Sequence, residues 1–287
     1  MRCVVEAAEE LGVPCISILG CAACSFMSIY HFPELIERCI VPLKDENMIS
    51  NGYLDTTIDW ISALKDIRLK DIPCIIRTTD SNDIWLNFTV DVAQSWLKAS
   101  NVIFNTFDEL ESEVLEAIAC KIPHIYTVGP LSMIGEQLQK SETRSMRSSL
   151  CKEDLDSVNW LDRKEPNSVL YVNFGSTTIV TDHQLREFAW GLADSKHPFL
   201  WINRPDVMMG KSAILPSEFV SETKDRGYLA SWCPQDQVLL HSSVGGFLTH
   251  CGWNSTIEAY LVEYHFYVGL SLLSNKQIAD LLVLPGG

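Results

Sequence analysis

The chain has 287 residues, 47% of them apolar and 21% charged, with a formal net charge of −15. That is the composition of a soluble globular protein with enough chain for one large or two medium domains. The acidic balance disfavours nucleic-acid polymers and anionic membranes, but a helix N-terminus can still bind a small anion locally. Ten cysteines are scattered without a disulfide framework, which fits reduced thiols and a cytoplasmic location. Cys21-Ala-Ala-Cys24 has redox spacing but lies in a run of small residues that reads as helix packing. No signal peptide is expected at Met1, and the apolar tail over 260–273 is broken by Glu263 and His265 and too short to span a bilayer.

In chain order, Val4 to Gly12 reads as the end of an amphipathic helix with Gly12 at its C-cap. A strand is predicted over 14–19. A helix follows over 21–39, running as far as Pro33 and resuming after it. Residues 44–59 are polar and irregular, 60–88 are loop-rich, and a helix is expected at about 89–100. Then come a strand over 101–105, a helix over 108–119 and a strand over 125–128. Such alternation implies a parallel sheet with helices on both faces.

Residues 135–156 are polar and rich in Ser, Lys and Glu, and read as an interdomain linker between 1–134 and 157–287. A buried parallel strand is predicted over 170–174, with Gly175-Ser176-Thr177 turning at its C-terminal end, where ligands of open α/β sheets gather. Ser176 and Thr177 are there either as ligand contacts or as simple turn residues. A helix over 183–193, a strand over 198–203, a loop to 219 and a strand over 227–231 lead to Trp232.

From Trp232 the pattern is more specific. Val244 to Thr249 is a short apolar run, and His250-Cys251-Gly252-Trp253-Asn254-Ser255 turns the chain into a helix. Ser255 with Glu258 three residues later has capping-box spacing, which puts the helix start at Asn254 or Ser255. A strand, a glycine turn and a helix N-terminus together make an anion site. Gly252 permits close approach, His250, Asn254 and Ser255 add donors, and Trp232 offers a face for a planar base. Asn87-Phe88-Thr89 and Asn254-Ser255-Thr256 fit the N-glycosylation pattern, but a glycan on the second would block this turn. His241, His250 and Cys251, at spacings of nine and one, fit no zinc pattern.

The stretch W-C-P-Q-D-Q-V-L-L-H-S-S-V-G-G-F-L-T-H-C-G-W-N-S-T-I-E over 232–258 resembles the signature box of plant family-1 UDP-glycosyltransferases. A-A-E-E-L-G-V-P, N-V-I-F-N-T-F-D-E-L-E and Y-T-V-G-P-L resemble landmarks of that family's acceptor domain. The resemblance implies an α/β GT-B fold of two Rossmann-like doubly wound domains, both incomplete here. Residues 1–134 would be part of an N-terminal acceptor-binding domain, and 157–287 part of a C-terminal UDP-sugar-binding domain. It further implies a UDP-sugar site of Ser176, Trp232, Cys233, Gln235, His250, Trp253, Asn254, Ser255 and Glu258. Trp232 would stack on uracil and the Cys233 backbone would bind the base. Gln235 and Glu258 would hold ribose hydroxyls, and His250, Asn254 and Ser255 the diphosphate. Glu258 has a second reading as a helix cap only. His241 is expected to be structural and Cys251 a small buried filler.

After Ala259 the sequence leaves the family pattern, and the acidic-Gln pair that grips the sugar falls on Ser274 and Asn275. The family's catalytic His and Asp precede residue 1, so no catalytic residue is assigned. His31 and His124 are expected to be packed or surface residues. The implied activity is inverting transfer of a hexosyl group, expected to be glucosyl, from UDP-sugar to a hydroxyl of a small terpenoid, flavonoid or similar metabolite. No metal or other cofactor is expected beside the UDP-glucose co-substrate. The competing expectation is an inactive chain that binds UDP only or associates with full-length relatives.

Overall fold

The computed structural model describes residues 2–122, 124–133, 151–176, 178, 180–204, 215–260 and 265–268. The chain divides into two compact units, Met1–Ile134 and Gly135–Gly287.

In the first unit, α1 (Arg2–Leu11) ends in a Schellman turn. Val13 N–H reaches the Ala8 carbonyl and Gly12 N–H the Glu9 carbonyl, and Gly12 has φ +65°, which a side chain would strain. Strands β1 (Ile16–Leu19), β2 (Asn101–Phe104) and β3 (Ile125–Thr127) form a parallel sheet in that order. Between β1 and β2 lie α2 (Ala23–Tyr30), α3 (Phe32–Glu37) and α4 (Ile84–Trp96), and α5 (Asp108–Ala119) follows β2. The break between α2 and α3 falls at His31, ahead of Pro33, which occupies the first turn of α3 where its missing N–H is harmless. Helix α4 starts five residues earlier than the sequence suggests, because the Asp83 carboxylate caps the Leu86 N–H at 2.9 Å.

Phe26 of α2 sits at the centre of this unit's core, edge-on to Phe104 at 5.3 Å and tilted against Trp96 at 5.0 Å. Ile16, Ile18 and Tyr126 on the opposite face of the sheet are exposed. Among the described residues, helices therefore cover one face of this sheet rather than both. The Glu111 carboxylate reaches across from α5 and accepts from the Ala23 and Cys24 N–H groups, each at 2.9 Å, so it caps α2 from 88 positions away. Burial pushes the Cys21 thiol up to about 11, and burial followed by the Glu111 charge raises Cys24. Protonated thiols beside a carboxylate are poor nucleophiles, in keeping with the packing reading of this pair.

In the second unit, five parallel strands stand in the order β6-β5-β4-β7-β8. They are β4 (Val169–Asn173), β5 (Phe199–Ile202), β6 (Gly227–Ala230), β7 (Val244–Thr249) and β8 (His265–Val268). The helices are α6 (Asp156–Leu161), α7 (Asp182–Ser195), α8 (Ser217–Thr223), α9 (Gln235–Leu239) and α10 (Trp253–Tyr260). The sequence showed no sign of α8, α9 or β8. Both faces of the sheet are packed. Leu170, Val172, Phe199, Trp201 and Leu248 face Phe188, Leu192 and Phe219 on one side. Val169, Tyr171, Leu200 and Phe247 face Leu161, Val238 and Leu239 on the other. Each such side chain contributes about 1.5–3 kcal/mol of burial, and a strand buried on both faces reads as a continuous apolar run.

Of the linker expected over 135–156, only 151–156 are described. There Asp154 is already tied to the second unit, its N–H to the Trp232 carbonyl and its carboxylate accepting from the Tyr228 hydroxyl.

Candidate functional site

Chain order runs outward from β4 through β5 to β6 on one side, and through β7 to β8 on the other. The direction of winding reverses between β4 and β7. In an open parallel sheet the loops leaving two such strands part and leave a crevice at their C-terminal ends. A cavity of about 300 Å³ lies there, lined by Asn173, Gly175, Ser176, Ile202, Trp232, Cys233, Gln235, His250, Gly252, Trp253, Asn254 and Ser255. Eight of the nine expected site residues thus meet at one cavity. The ninth, Glu258, reaches it through Gln235. Thr177 lies outside the described residues, as do Ser274 and Asn275.

β7 delivers His250 to the turn, where its ring is wedged between two glycines. A Cβ at Gly175 or at Gly252 would collide with the imidazole, and Gly175 has φ +74° besides. Burial lowers the His250 pKa, and the Asn173 main chain opposes this by favouring the protonated ring. The neutral imidazole therefore prevails near pH 7.

Helix α10 starts at Trp253, with the Gly252 carbonyl accepting from the Thr256 N–H at 2.9 Å. The capping box expected of Ser255 and Glu258 is not formed, because both lie inside the helix and bind Gln235 instead. Gln235 Nε2 donates to Ser255 Oγ at 3.1 Å and to Glu258 Oε2 at 2.8 Å. Its Oε1 accepts from the Tyr171 hydroxyl at 3.1 Å and from Asn173 Nδ2 at 2.8 Å. Burial raises the Glu258 pKa, the Gln235 hydrogen bond lowers it, and the Asp236 charge raises it further. Burial pushes the Cys233 thiol up to about 12, so it stays protonated, 3.4 Å from the Tyr171 hydroxyl.

Trp232 borders the cavity, and the Arg204 guanidinium lies 5.4 Å from the centre of its ring. The remaining expectations for this region divide. His241 is structural, with Nδ1 against Ser243 Oγ at 2.9 Å and Nε2 against Asp162 Oδ1 at 3.2 Å, fastening the loop before β7 to the end of α6. Cys251 is not a buried filler: it is exposed and adopts φ +57° at the tightest point of the turn. His31 is buried, its Nδ1 3.0 Å from the Glu34 carboxylate, and His124 is exposed. Tyr171 and Asn173 escaped the sequence reading. Their spacing of two places them on one face of β4, a signal legible in Y-V-N once the strand is accepted.

Residues 151–264 match the family model described as UDP-glucoronosyl and UDP-glucosyl transferase. The chain is 52% identical over 259 residues to a 7-deoxyloganetin glucosyltransferase of Gardenia jasminoides, covering 90% of this chain and 54% of that protein. It is 52% identical over 257 residues to an (R)-mandelonitrile beta-glucosyltransferase of Prunus dulcis, covering 89% and 53%. The chain belongs to the plant UDP-glycosyltransferase family. Its fold is the family's: the structure of Phytolacca americana UGT2 complexed with UDP-2fluoro-glucose and pterostilbene matches at 30% identity and a TM-score of 0.71. That match covers 98% of this chain and 58% of the other. The chain spans about half the length of the curated relatives it matches. Nothing in these likenesses supports a role limited to binding UDP or pairing with relatives. No helix among the described residues is long and apolar enough to cross a membrane.

Proposed function

We propose that the second unit binds UDP-glucose and that the chain serves glucosyl transfer from it to a hydroxyl of a small plant metabolite. The observation carrying this reading is the cavity where β4 and β7 part, which gathers an indole, an imidazole, amides and a helix N-terminus around about 300 Å³. In this reading the base lies on Trp232 and is bonded by the Cys233 main chain. The ribose hydroxyls are held by the joined Gln235 and Glu258, whose burial favours partners that hydrogen-bond without adding charge. The diphosphate sits at Gly252 and the start of α10, with His250, Asn254 and Ser255 as donors and Ser176 facing from the β4 turn.

The leaving group is then stabilised by fixed dipoles and one imidazole, and the reading needs no metal. His250 holds its proton demand ready: neutral when the cavity is free, it gains a proton when the diphosphate's charge arrives. A general base on the acceptor hydroxyl is worth about 10²–10⁴-fold in rate, and His31, whose Nε2 is buried away from solvent, is not assigned that role, nor is the exposed His124. The acceptor is a small hydroxylated molecule, by likeness to relatives named for 7-deoxyloganetin and (R)-mandelonitrile. Ten free thiols fit a reducing compartment such as the cytoplasm.

Calorimetric titration with UDP and with UDP-glucose tests the donor site. Saturable binding of both, weakened in Trp232→Ala, is the expected result. No heat change with either, in a chain shown folded by circular dichroism, overturns the reading.

A further inference from the structure

We infer that Asn173 is the positioning residue that joins the nucleoside half of the cavity to its phosphate half. The inference rests on the nucleotide-site reading above and deepens it. Asn173 ends β4, in register with Thr249 and hence beside His250. Its Oδ1 accepts from the Gly175 N–H at 2.9 Å, and so sets the turn that carries Ser176. Its Nδ2 donates to the Tyr171 hydroxyl at 2.9 Å and to Gln235 Oε1 at 2.8 Å.

These contacts decide which way the Gln235 amide points. Oε1 receives two donors, Asn173 and Tyr171, while Nε2 gives to two oxygens, Ser255 and Glu258. An amide turned over would set its NH₂ against the Asn173 NH₂ and its oxygen against the Glu258 carboxylate. With Asn173 in place the amide has one orientation, and with it Glu258 is held at the edge of the cavity. A residue needed only to close the turn would have to supply an acceptor for Gly175 and nothing more. The two Nδ2 bonds are what such a role leaves unexplained. One stays within β4, at Tyr171, and the other runs 62 positions along the chain to Gln235 of α9, and through Gln235 to α10, which begins at the phosphate end of the cavity.

Asn173→Asp isolates those bonds. It keeps an acceptor for the Gly175 N–H, removes the donor and sets a carboxylate against Gln235 Oε1. The expected result is a melting temperature close to wild type without nucleotide and UDP binding weakened about tenfold or more. Asn173→Ser, which restores a short donor, should recover part of the loss. It also serves as the working variant if Asn173→Asp does not fold. Because Asn173 acts through Gln235, adding Asn173→Asp to Gln235→Ala should weaken UDP binding by less than about twofold beyond Gln235→Ala alone, the signature of a coupled pair. Wild-type UDP affinity in Asn173→Asp, or losses that multiply in the double variant, overturn the inference while leaving the donor site intact. Absence of UDP binding in the wild-type chain overturns the donor-site reading and this inference with it.

Discussion

Gly252→Ala probes the proposed nucleotide site by crowding His250 rather than by truncating a donor. A Cβ on Gly252 would lie 2.7 Å from His250 Cε1 and 3.2 Å from Cδ2, and nearer still to Nε2. Restoring a contact of about 3.5 Å requires the ring to move by roughly an ångström. It cannot retreat freely, because its other side lies against Gly175 in the β4 turn. The displaced imidazole would lose the bond proposed to the diphosphate, and hydrogen bonds to charged groups are worth about 1.5–3 kcal/mol, or roughly 10–150-fold in Kd. The free chain should lose about 1–3 kcal/mol to crowding of the wedged ring, while the backbone itself is unstrained, since Gly252 is outside the left-handed region and its carbonyl still accepts from Thr256. Calorimetric titration with UDP, paired with thermal melting of the free chain, reads both quantities. Gly12→Ala is the converse control. At φ +65° with open space around it, it should cost about 1 kcal/mol of stability and leave UDP affinity unchanged. A Gly252→Ala chain that melts lower, as crowding of the ring requires, yet binds UDP as tightly as wild type would remove His250 from the diphosphate site.

Trp232→Ala removes the stacking face and should weaken UDP by about 1–3 kcal/mol, while inorganic pyrophosphate, which has no base, binds as before. UDP-glucose, whose diphosphate has no group titrating near neutrality, should bind more weakly as pH rises through the region around the ordinary histidine value of 6.5, because His250 must gain a proton on binding. That slope should vanish in His250→Gln. The stability of the free chain should show the opposite trend: an imidazole depressed by burial contributes nothing adverse above 6.5 and destabilises as pH falls below it. Glu111→Gln should speed alkylation of Cys21 and Cys24 severalfold at pH 8.5, by removing the carboxylate that raises both thiols, and should lower stability by about 1 kcal/mol through a weaker α2 cap. Unchanged labelling in that variant would rule out the carboxylate as the cause.

What was legible in the sequence was local. The strand-turn-helix over Val244 to Tyr260 shows itself because an apolar run holding Gly245 and Gly246 leads into a polar turn at Gly252 and then a helix start. The parallel sheets follow from alternation of strand and helix patterns, with errors at the ends. Helices α8 and α9 were invisible, being short and opened by Pro216 and Pro234, which read as loop signals. Ser255 with Glu258 matched a capping box by spacing alone, and nothing local could show that Gln235 would claim both side chains. The Glu111 cap on α2 spans 88 positions, and the Asn173 bond to Gln235 spans 62. Such contacts exist only because parallel strands bring distant loops to the same edge. Periodicity decides which face a residue occupies, and topology decides what it meets there.

That topology also accounts for how so acidic a chain would hold the diphosphate proposed above. The cavity's described lining contains no Lys or Arg, and its one titratable base is neutral when unoccupied. Attraction comes instead from dipoles fixed within contact distance: the N–H groups opening α10, the turn after β4, and amide and hydroxyl donors. The formal charge of −15 is spread over the whole chain, and at physiological salt charges more than about 8 Å away are largely screened. Salt should therefore alter how fast UDP arrives more than how tightly it stays. The Arg204 guanidinium lies over the Trp232 ring rather than among the cavity's lining residues, so in the proposed reading it supports the stacking face and leaves the phosphates to the fixed dipoles and His250. A site built in this way discriminates by geometry. A glycine or amide misplaced by an ångström weakens it more than the loss of a distant charge.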